Sequence, residues 1–216
     1  MNLVLTLAAL TLIVVLGWSL RSRRHSIPCP SWLGWLIELD NPLFRNNRAS
    51  AIVAGLGLRP GMAVLDAGCG PGRLAIPMAR EVGPAGRITA LDLQDAMLRK
   101  AAEKAKSAGL SNVAFRQADI AGGIRGDGPF DRATLVTVLG EVPDKRAALE
   151  AIFACLKPGG LLAVTEIIAD PHFQRRASVI SLAQGAGFHE RCRTGGLLSY
   201  TLYLEKPAIA PTGEAR

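Results

Sequence analysis

The chain has 216 residues, room for one α/β domain and a short appendage but not for two catalytic domains. Hydrophobic residues make up 49% and charged residues 20%, which excludes wholesale disorder. The net charge is +7, yet residues 1–20 carry no charge, and residues 21–60 hold six arginines against Glu38 and Asp40. The excess reads as a basic collar beside an apolar N-terminus, and no nucleic-acid partner is expected. Cys29, Cys69, Cys155 and Cys192 lie far apart, with no Cys/His ligand spacing. Neither a metal site nor a disulfide framework is predicted.

Residues 1–20, MNLVLTLAALTLIVVLGWSL, are apolar apart from Asn2, Thr6, Thr11 and Ser19. As a helix of twenty residues they would span roughly 30 Å, the thickness of a bilayer's hydrocarbon core. A cleaved signal would want its basic residues before the run and a small-residue cleavage site after it. Here Arg21, Arg23 and Arg24 follow the run, so an uncleaved transmembrane helix is expected. Arginine on the inner flank predicts a single-pass protein with its remainder in the cytoplasm. Residues 21–45 read as a basic, tryptophan-bearing linker near the membrane. Within it, Ser31 can cap a short helix carrying Trp32, Trp35, Leu36 and Leu39. That helix either packs on the domain or lies among lipid headgroups.

Residues 46–206 read as one domain and 207–216 as a tail. A helix is predicted over Asn46–Gly55 and a strand over Ala63–Asp66. A glycine-rich loop and a helix over Arg73–Val82 follow, then a strand over Arg87–Leu91 ending at Asp92. The next helix covers Gln94–Ala108, and further strands cover Val113–Gln117 and Phe130–Val138. Lys145–Leu156 is helical, Lys157-Pro158-Gly159-Gly160 a turn, and Leu161–Glu166 the fifth strand. A helix over Gln174–Ala186 precedes strands His189–Thr194 and Tyr200–Glu205, whose short Gly195-Gly196 link forces antiparallel pairing. Strand–helix alternation predicts a Rossmann-like, doubly wound and mostly parallel sheet. Ligands bind such sheets at the carboxyl ends of the strands.

The glycine loop Asp66-Ala67-Gly68-Cys69-Gly70-Pro71-Gly72 is the strongest local signal. Glycines let backbone bend sharply and approach a ligand, and an acid at Asp66 suits a cationic group rather than a pyrophosphate. Asp92, 20 residues after Gly72, has the placement of a ribose ligand, or else caps the helix at Gln94.

At these residues the chain resembles the class I S-adenosylmethionine-dependent methyltransferases. The resemblance rests on LDAGCGPG, LDLQDAMLRKA, QADI, FDRATLVTVLGEVPD and LKPGGLLAVTE. It implies seven strands in the order 3-2-1-4-5-7-6, the seventh antiparallel, and S-adenosylmethionine as cofactor. It implies that Gly68, Gly70 and Gly72 meet the methionine part, with Asp66 near its amino group. Asp92 would take the ribose hydroxyls, Leu93 would flank the adenine, and Asp119 would approach the adenine amino group.

Many related small-molecule enzymes carry paired histidines after the fourth strand, where this chain has Val138-Leu139-Gly140-Glu141. Glu141 can orient a substrate or accept a proton there, or is a solvated loop charge. Glu166 and His172 fall after the fifth strand, on the expected rim. His172 is either a base or a residue at a helix start. Asn41, Arg45, Asn46 and Arg48 precede the first strand, in a region that by the resemblance often covers the active site, so that Arg45 or Arg48 can meet an anionic group of a substrate or lipid phosphates. The expected substrate is lipid-like or hydrophobic, a phospholipid amine or an isoprenoid quinone; a soluble molecule or a membrane protein is the alternative, as is cofactor binding without catalysis.

Overall fold

The computed structural model describes residues 44–124 and 128–208, with Thr6, Gly17, Arg21, Ser22 and Pro30. The expected transmembrane helix, the Trp32/Trp35 helix and most of the tail therefore lie outside the described residues. Among the described residues, no helix is long and apolar enough to cross a membrane.

A 3-10 turn at Arg45–Asn47 leads into α1 (Ala49–Leu56), which ends on Gly57 in the left-handed conformation. Then come β1 (Ala63–Ala67), α2 (Ala75–Val82), β2 (Arg87–Asp92), α3 (Asp95–Ser107), β3 (Val113–Gln117) and a one-turn α4 (Ile120–Gly123). The chain continues through β4 (Phe130–Val136), α5 (Lys145–Cys155), β5 (Leu156–Ile167), α6 (Arg176–Gly185), β6 (His189–Gly195) and β7 (Ser199–Glu205). The sheet order is β3-β2-β1-β4-β5-β7-β6. All pairings are parallel except those of β7, which runs antiparallel to both neighbours. This is the order the resemblance implied.

Burial explains the strands. All five residues of β1 are buried, because the strand is central and helices cover both faces. Val64 joins a core layer with Ile52, Met78, Val82 and Ile88, whereas its neighbour Leu65 joins the opposite layer with Leu91, Leu135, Ile152 and Val164. Asp131 ties the amino-terminal rim of the sheet. Its carboxylate accepts the Ala63 amide at 2.8 Å and pairs with Lys157 at 2.6 Å.

Of the boundaries that differ from expectation, four have a visible physical cause. The first helix starts at Ala49 rather than Asn46, because Asn46 bonds Ser199 Oγ instead of entering the helix. The second starts at Ala75 rather than Arg73, because the glycine loop runs on through the turn at Gly72. β4 stops at Val136, where Thr137 turns to a φ of 54°. β5 begins five residues early: the Gly159 amide donates to the Lys206 carbonyl and the Lys206 amide to the Gly160 carbonyl, drawing the expected turn into the sheet. The short α4 was not anticipated.

Candidate functional site

The carboxyl ends of β1, β2 and β4 open onto one pocket, lined among others by Asp66, Gly70, Asp92, Leu93, Asp119 and Glu141. The parallel register brings Asp66 beside Thr134. Thr134 Oγ1 donates to Asp66 Oδ1 at 2.6 Å. Asp66 Oδ2 is buried with no hydrogen-bond partner. Burial, partly offset by the Thr134 bond, pushes this carboxyl up to about 6. An orphaned carboxylate oxygen facing a pocket is a ready acceptor for an ammonium group.

The loop after Asp66 is shaped by close approach. Gly68 has a φ of +76°, and a Cβ there would lie 2.4 Å from Val138 Cγ2. The Gly68 and Cys69 amides donate to the Leu91 carbonyl at 2.8 and 2.7 Å, fastening the loop to β2. Gly70, at φ +51°, has nothing within 4 Å of where its Cβ would stand, leaving room for a ligand. The Cys69 thiol is buried between Asp66 and Asp92; desolvation first, and those two carboxylates second, push it far above its ordinary value.

Asp92 accepts the Gly70 amide on Oδ2 at 2.9 Å and the Gln94 amide on Oδ1 at 2.8 Å. It therefore does cap the turn into α3. Each oxygen retains a second lone pair for a ligand hydroxyl. Burial raises its pKa despite these bonds. Leu93, 57% exposed, stands at the pocket mouth, and Asp119 caps α4 through Ala121 while facing the same pocket.

The three candidate catalytic residues separate. Glu141 lines the pocket beside Val138, Val142 and Pro143. His172 does not line it. The imidazole is buried behind Glu141, with Nδ1 3.7 Å from Glu141 Oε1 and 3.7 Å from Asp170 Oδ1. Nε2 contacts Ser22 Oγ at 2.8 Å and the Ser22 carbonyl oxygen at 3.0 Å. Glu166 does not line the pocket either. It sits inside β5 opposite Tyr200, 1% exposed, and Oε2 accepts the Gln174 amide at 3.0 Å. Burial pushes Glu166 up to about 8. It stands at the carboxyl end of β5, as expected, but its side chain turns into the sheet and not into the pocket.

Arg73 was missed as a site residue. It lines the pocket, and its guanidinium donates to the Asn47 side-chain and backbone oxygens. A cation directly after the glycine loop was the available signal. Neither Arg45 nor Arg48 lines the pocket, while Asn46 is engaged with Ser199; Asn41 lies outside the described residues. Among the described residues no group of three His, Cys, Asp or Glu side chains could hold a metal.

The site as built has an orphaned carboxylate, a glycine cradle, an acid on the next strand and an apolar wall. These residues suit S-adenosylmethionine: Asp66 would take its ammonium, Arg73 its carboxylate and Asp92 its ribose. Known proteins agree. The chain is 38% identical over 117 residues to a ubiquinone/menaquinone biosynthesis C-methyltransferase, UbiE, of Shewanella halifaxensis, a match covering 54% of this chain and 47% of the relative. The chain thus spans about half the length of such curated relatives. A SAM-dependent methyltransferase from Aquifex aeolicus shares the fold with a TM-score of 0.69 at 23% identity, over 80% of this chain and 98% of that one. Magnesium protoporphyrin IX methyltransferase from Synechocystis PCC 6803, solved with bound SAM, shares it with a TM-score of 0.64 at 21% identity, over 82% and 89% of the two chains. The family model described as "Methyltransferase domain" matches residues 58–191, and the chain belongs to that family of S-adenosylmethionine-dependent methyltransferases.

Proposed function

We propose that this enzyme is a membrane-anchored C-methyltransferase acting on the ring of an isoprenoid quinol. The observation that carries the reading is the pocket wall. Beyond the cofactor cradle it presents Val138, Val142 and Pro143 with one carboxylate, Glu141, among them. An apolar wall with a single acceptor suits a flat ring bearing a phenolic hydroxyl. The likeness to UbiE enzymes supports it, since their name specifies C-methylation in quinone biosynthesis.

In this reading Asp66, Arg73, Asp92, Leu93 and Asp119 hold the cofactor as the resemblance implied, and Gly68, Gly70 and Gly72 let the backbone close on it. When bound, the cofactor supplies a methyl group activated by its sulfonium. Glu141 accepts the phenolic proton, which makes the neighbouring ring carbon nucleophilic. That carbon would take the methyl group the bound cofactor supplies, the sulfur keeping the electron pair of the broken bond. Glu141 would then return its proton to the ring oxygen as it takes up the ring-carbon proton, restoring aromaticity, and would release that proton when the site reopens. His172 stands behind Glu141, its Nδ1 3.7 Å from that carboxylate, and Asp170 holds the His172 amide. The remaining requirement is alignment within a dry pocket.

The apolar residues 1–20 would anchor the chain with its catalytic domain in the cytoplasm, where the arginine collar stays. Tethering raises the effective concentration of enzyme at the surface that holds the acceptor.

The test is incubation of the full-length enzyme with methyl-labelled cofactor and a bacterial lipid extract, followed by mass analysis. Label on a quinol ring carbon is expected. Label on a phospholipid amine, or on a water-soluble compound alone, overturns the reading.

A further inference from the structure

Among the described residues four large hydrophobic side chains are exposed: Leu93 (57%), Ile168 (45%), Leu197 (81%) and Leu198 (57%). They sit on three separate connections, yet all four lie at one end of the sheet. Leu93 follows the carboxyl end of β2 and Ile168 that of β5. Leu197 and Leu198 form the β6–β7 turn. β7 is antiparallel to both β5 and β6, so that turn projects from the same rim. The Ile168 amide donates to the Leu198 carbonyl at 2.7 Å, which joins the two connections into one apolar surface. Ordinary surfaces scatter such residues singly; Leu93 belongs to the cofactor pocket, but Ile168, Leu197 and Leu198, gathered on the rim that holds the pocket mouth, mark an interaction face.

Two features identify its occupant as lipid. First, Ser22 packs on His172, four residues after Ile168, so the chain leaves its apolar first twenty residues at this rim. If those residues anchor the chain as proposed above, the bilayer would meet this rim. Second, the exposed charged neighbours of Ile168, Leu197 and Leu198 are basic. Arg21 adjoins Ser22, Arg45 begins the turn that packs on β7, and Arg175 precedes α6; all three are exposed. The acids of the same connection are turned inward, Glu166 within the sheet and Asp170 onto the His172 amide at 2.7 Å. Apolar tips flanked by arginine match the boundary between acyl chains and anionic headgroups. A second copy of the chain fits less well. The neighbouring edge strand β6 carries exposed Arg191 and Arg193 and is bulged between Glu190 and Cys192, features that oppose edge-to-edge pairing.

We propose that the carboxyl-end rim, led by Leu197 and Leu198, is a lipid-docking surface that turns the mouth of the cofactor pocket toward an anionic bilayer. The purpose of that orientation rests on the proposed membrane-borne acceptor, whereas docking itself does not require it. The leucines would enter about 5–10 Å below the headgroups.

The experiment uses the full-length chain in phosphatidylcholine–phosphatidylglycerol vesicles containing nitroxide-labelled lipid. An environment-sensitive fluorophore is placed at Leu197→Cys or, on the opposite rim, at Ala85→Cys, each in a Cys29→Ser/Cys192→Ser background. Blue-shifted emission and strong nitroxide quenching at position 197, with a water-like signal at 85, are expected. Equal quenching at both positions, or none at 197, overturns the proposal. So does a blue shift at 197 that grows with protein concentration in the absence of vesicles, since the occupant is then a second copy. Cofactor affinity and turnover are followed in the same samples with a quinol in the vesicles. Selective quenching at 197 without turnover supports docking and counts against the quinol reading, so the two failures are distinguishable.

Discussion

The Gly70 amide donates to Asp92 Oδ2 across 2.9 Å, so the glycine loop after β1 and the acid ending β2 form one unit. Asp92 holds the loop's shape and offers its remaining lone pairs to a ligand. Asp92→Ala is expected to weaken S-adenosylmethionine binding by about 1–3 kcal/mol, through lost charge-assisted hydrogen bonds. Asp92→Asn, which keeps a carbonyl acceptor for Gly70, should lose less. Calorimetric affinities equal to the parent's for both variants would remove Asp92 from the ribose subsite.

Gly68 presents a steric prediction. Its φ of +76° disfavours any side chain, and a Cβ would meet Val138 Cγ2 at 2.4 Å. Gly68→Ala should destabilise the domain by about 1–3 kcal/mol and impair cofactor binding. Adding Val138→Ala removes the clash but not the backbone strain, so the double variant should recover part of the lost melting temperature. No recovery at all would show that Val138 is not the obstacle.

Glu141 faces the pocket, whereas His172 stands behind it with Nδ1 3.7 Å from the Glu141 carboxylate. Glu141→Gln should lower kcat by about 10²–10⁴-fold with cofactor affinity unchanged, the range for loss of a general base. His172→Gln should cost less, and should shift the pH dependence of kcat rather than abolish turnover, since it acts through Glu141. Unchanged kcat in Glu141→Gln would return that residue to the role of a loop charge.

Glu166 supplies a pH-dependent stability term. Burial raises it to about 8, above the ordinary glutamate value of about 4.3, so the folded domain holds a proton that the unfolded chain releases. The stabilisation from that proton is complete at low pH. It is lost as pH climbs from the ordinary value through about 8. Glu166→Gln keeps the neutral shape and should flatten the fall, with a melting temperature above the parent's beyond pH 8. Thermal scans across pH 5–9 check this; at a domain of this size each kcal/mol corresponds to about 2–4 °C. Parallel curves for parent and variant would show that Glu166 is already ionised when folded.

The parallel layers were legible because their signals are local. The apolar run at Val64-Leu65 and the left-handed Gly57 after α1 specify elements through their own backbone and burial preferences. The cradle was legible for the same reason: Asp66 through Gly72 is contiguous, and its glycines mark where a side chain would not fit. The catalytic corner was harder, because it is assembled from distant segments. Whether Glu166 faces the pocket or the sheet depends on where β5 ends, and that is set by its ladder with β7. Whether His172 is open or covered depends on Ser22, 150 positions away. Arg73 escaped notice because its meaning comes from the pocket it enters and from Asn47, not from helical spacing.

The Cys69 thiol lies inside the cofactor cradle, yet its chemistry is suppressed there. Buried between Asp66 and Asp92, it is desolvated, and two acids oppose formation of the thiolate. Electrophilic inhibitors directed at this pocket would therefore find no warhead partner in Cys69. They would instead mark the exposed Cys192 on the edge strand, far along the sheet from the glycine loop. Selective ligands for this enzyme must draw on the shape and charge of the cradle, and, with Cys29 replaced, a thiol-specific tag can be attached at Cys192 without disturbing it.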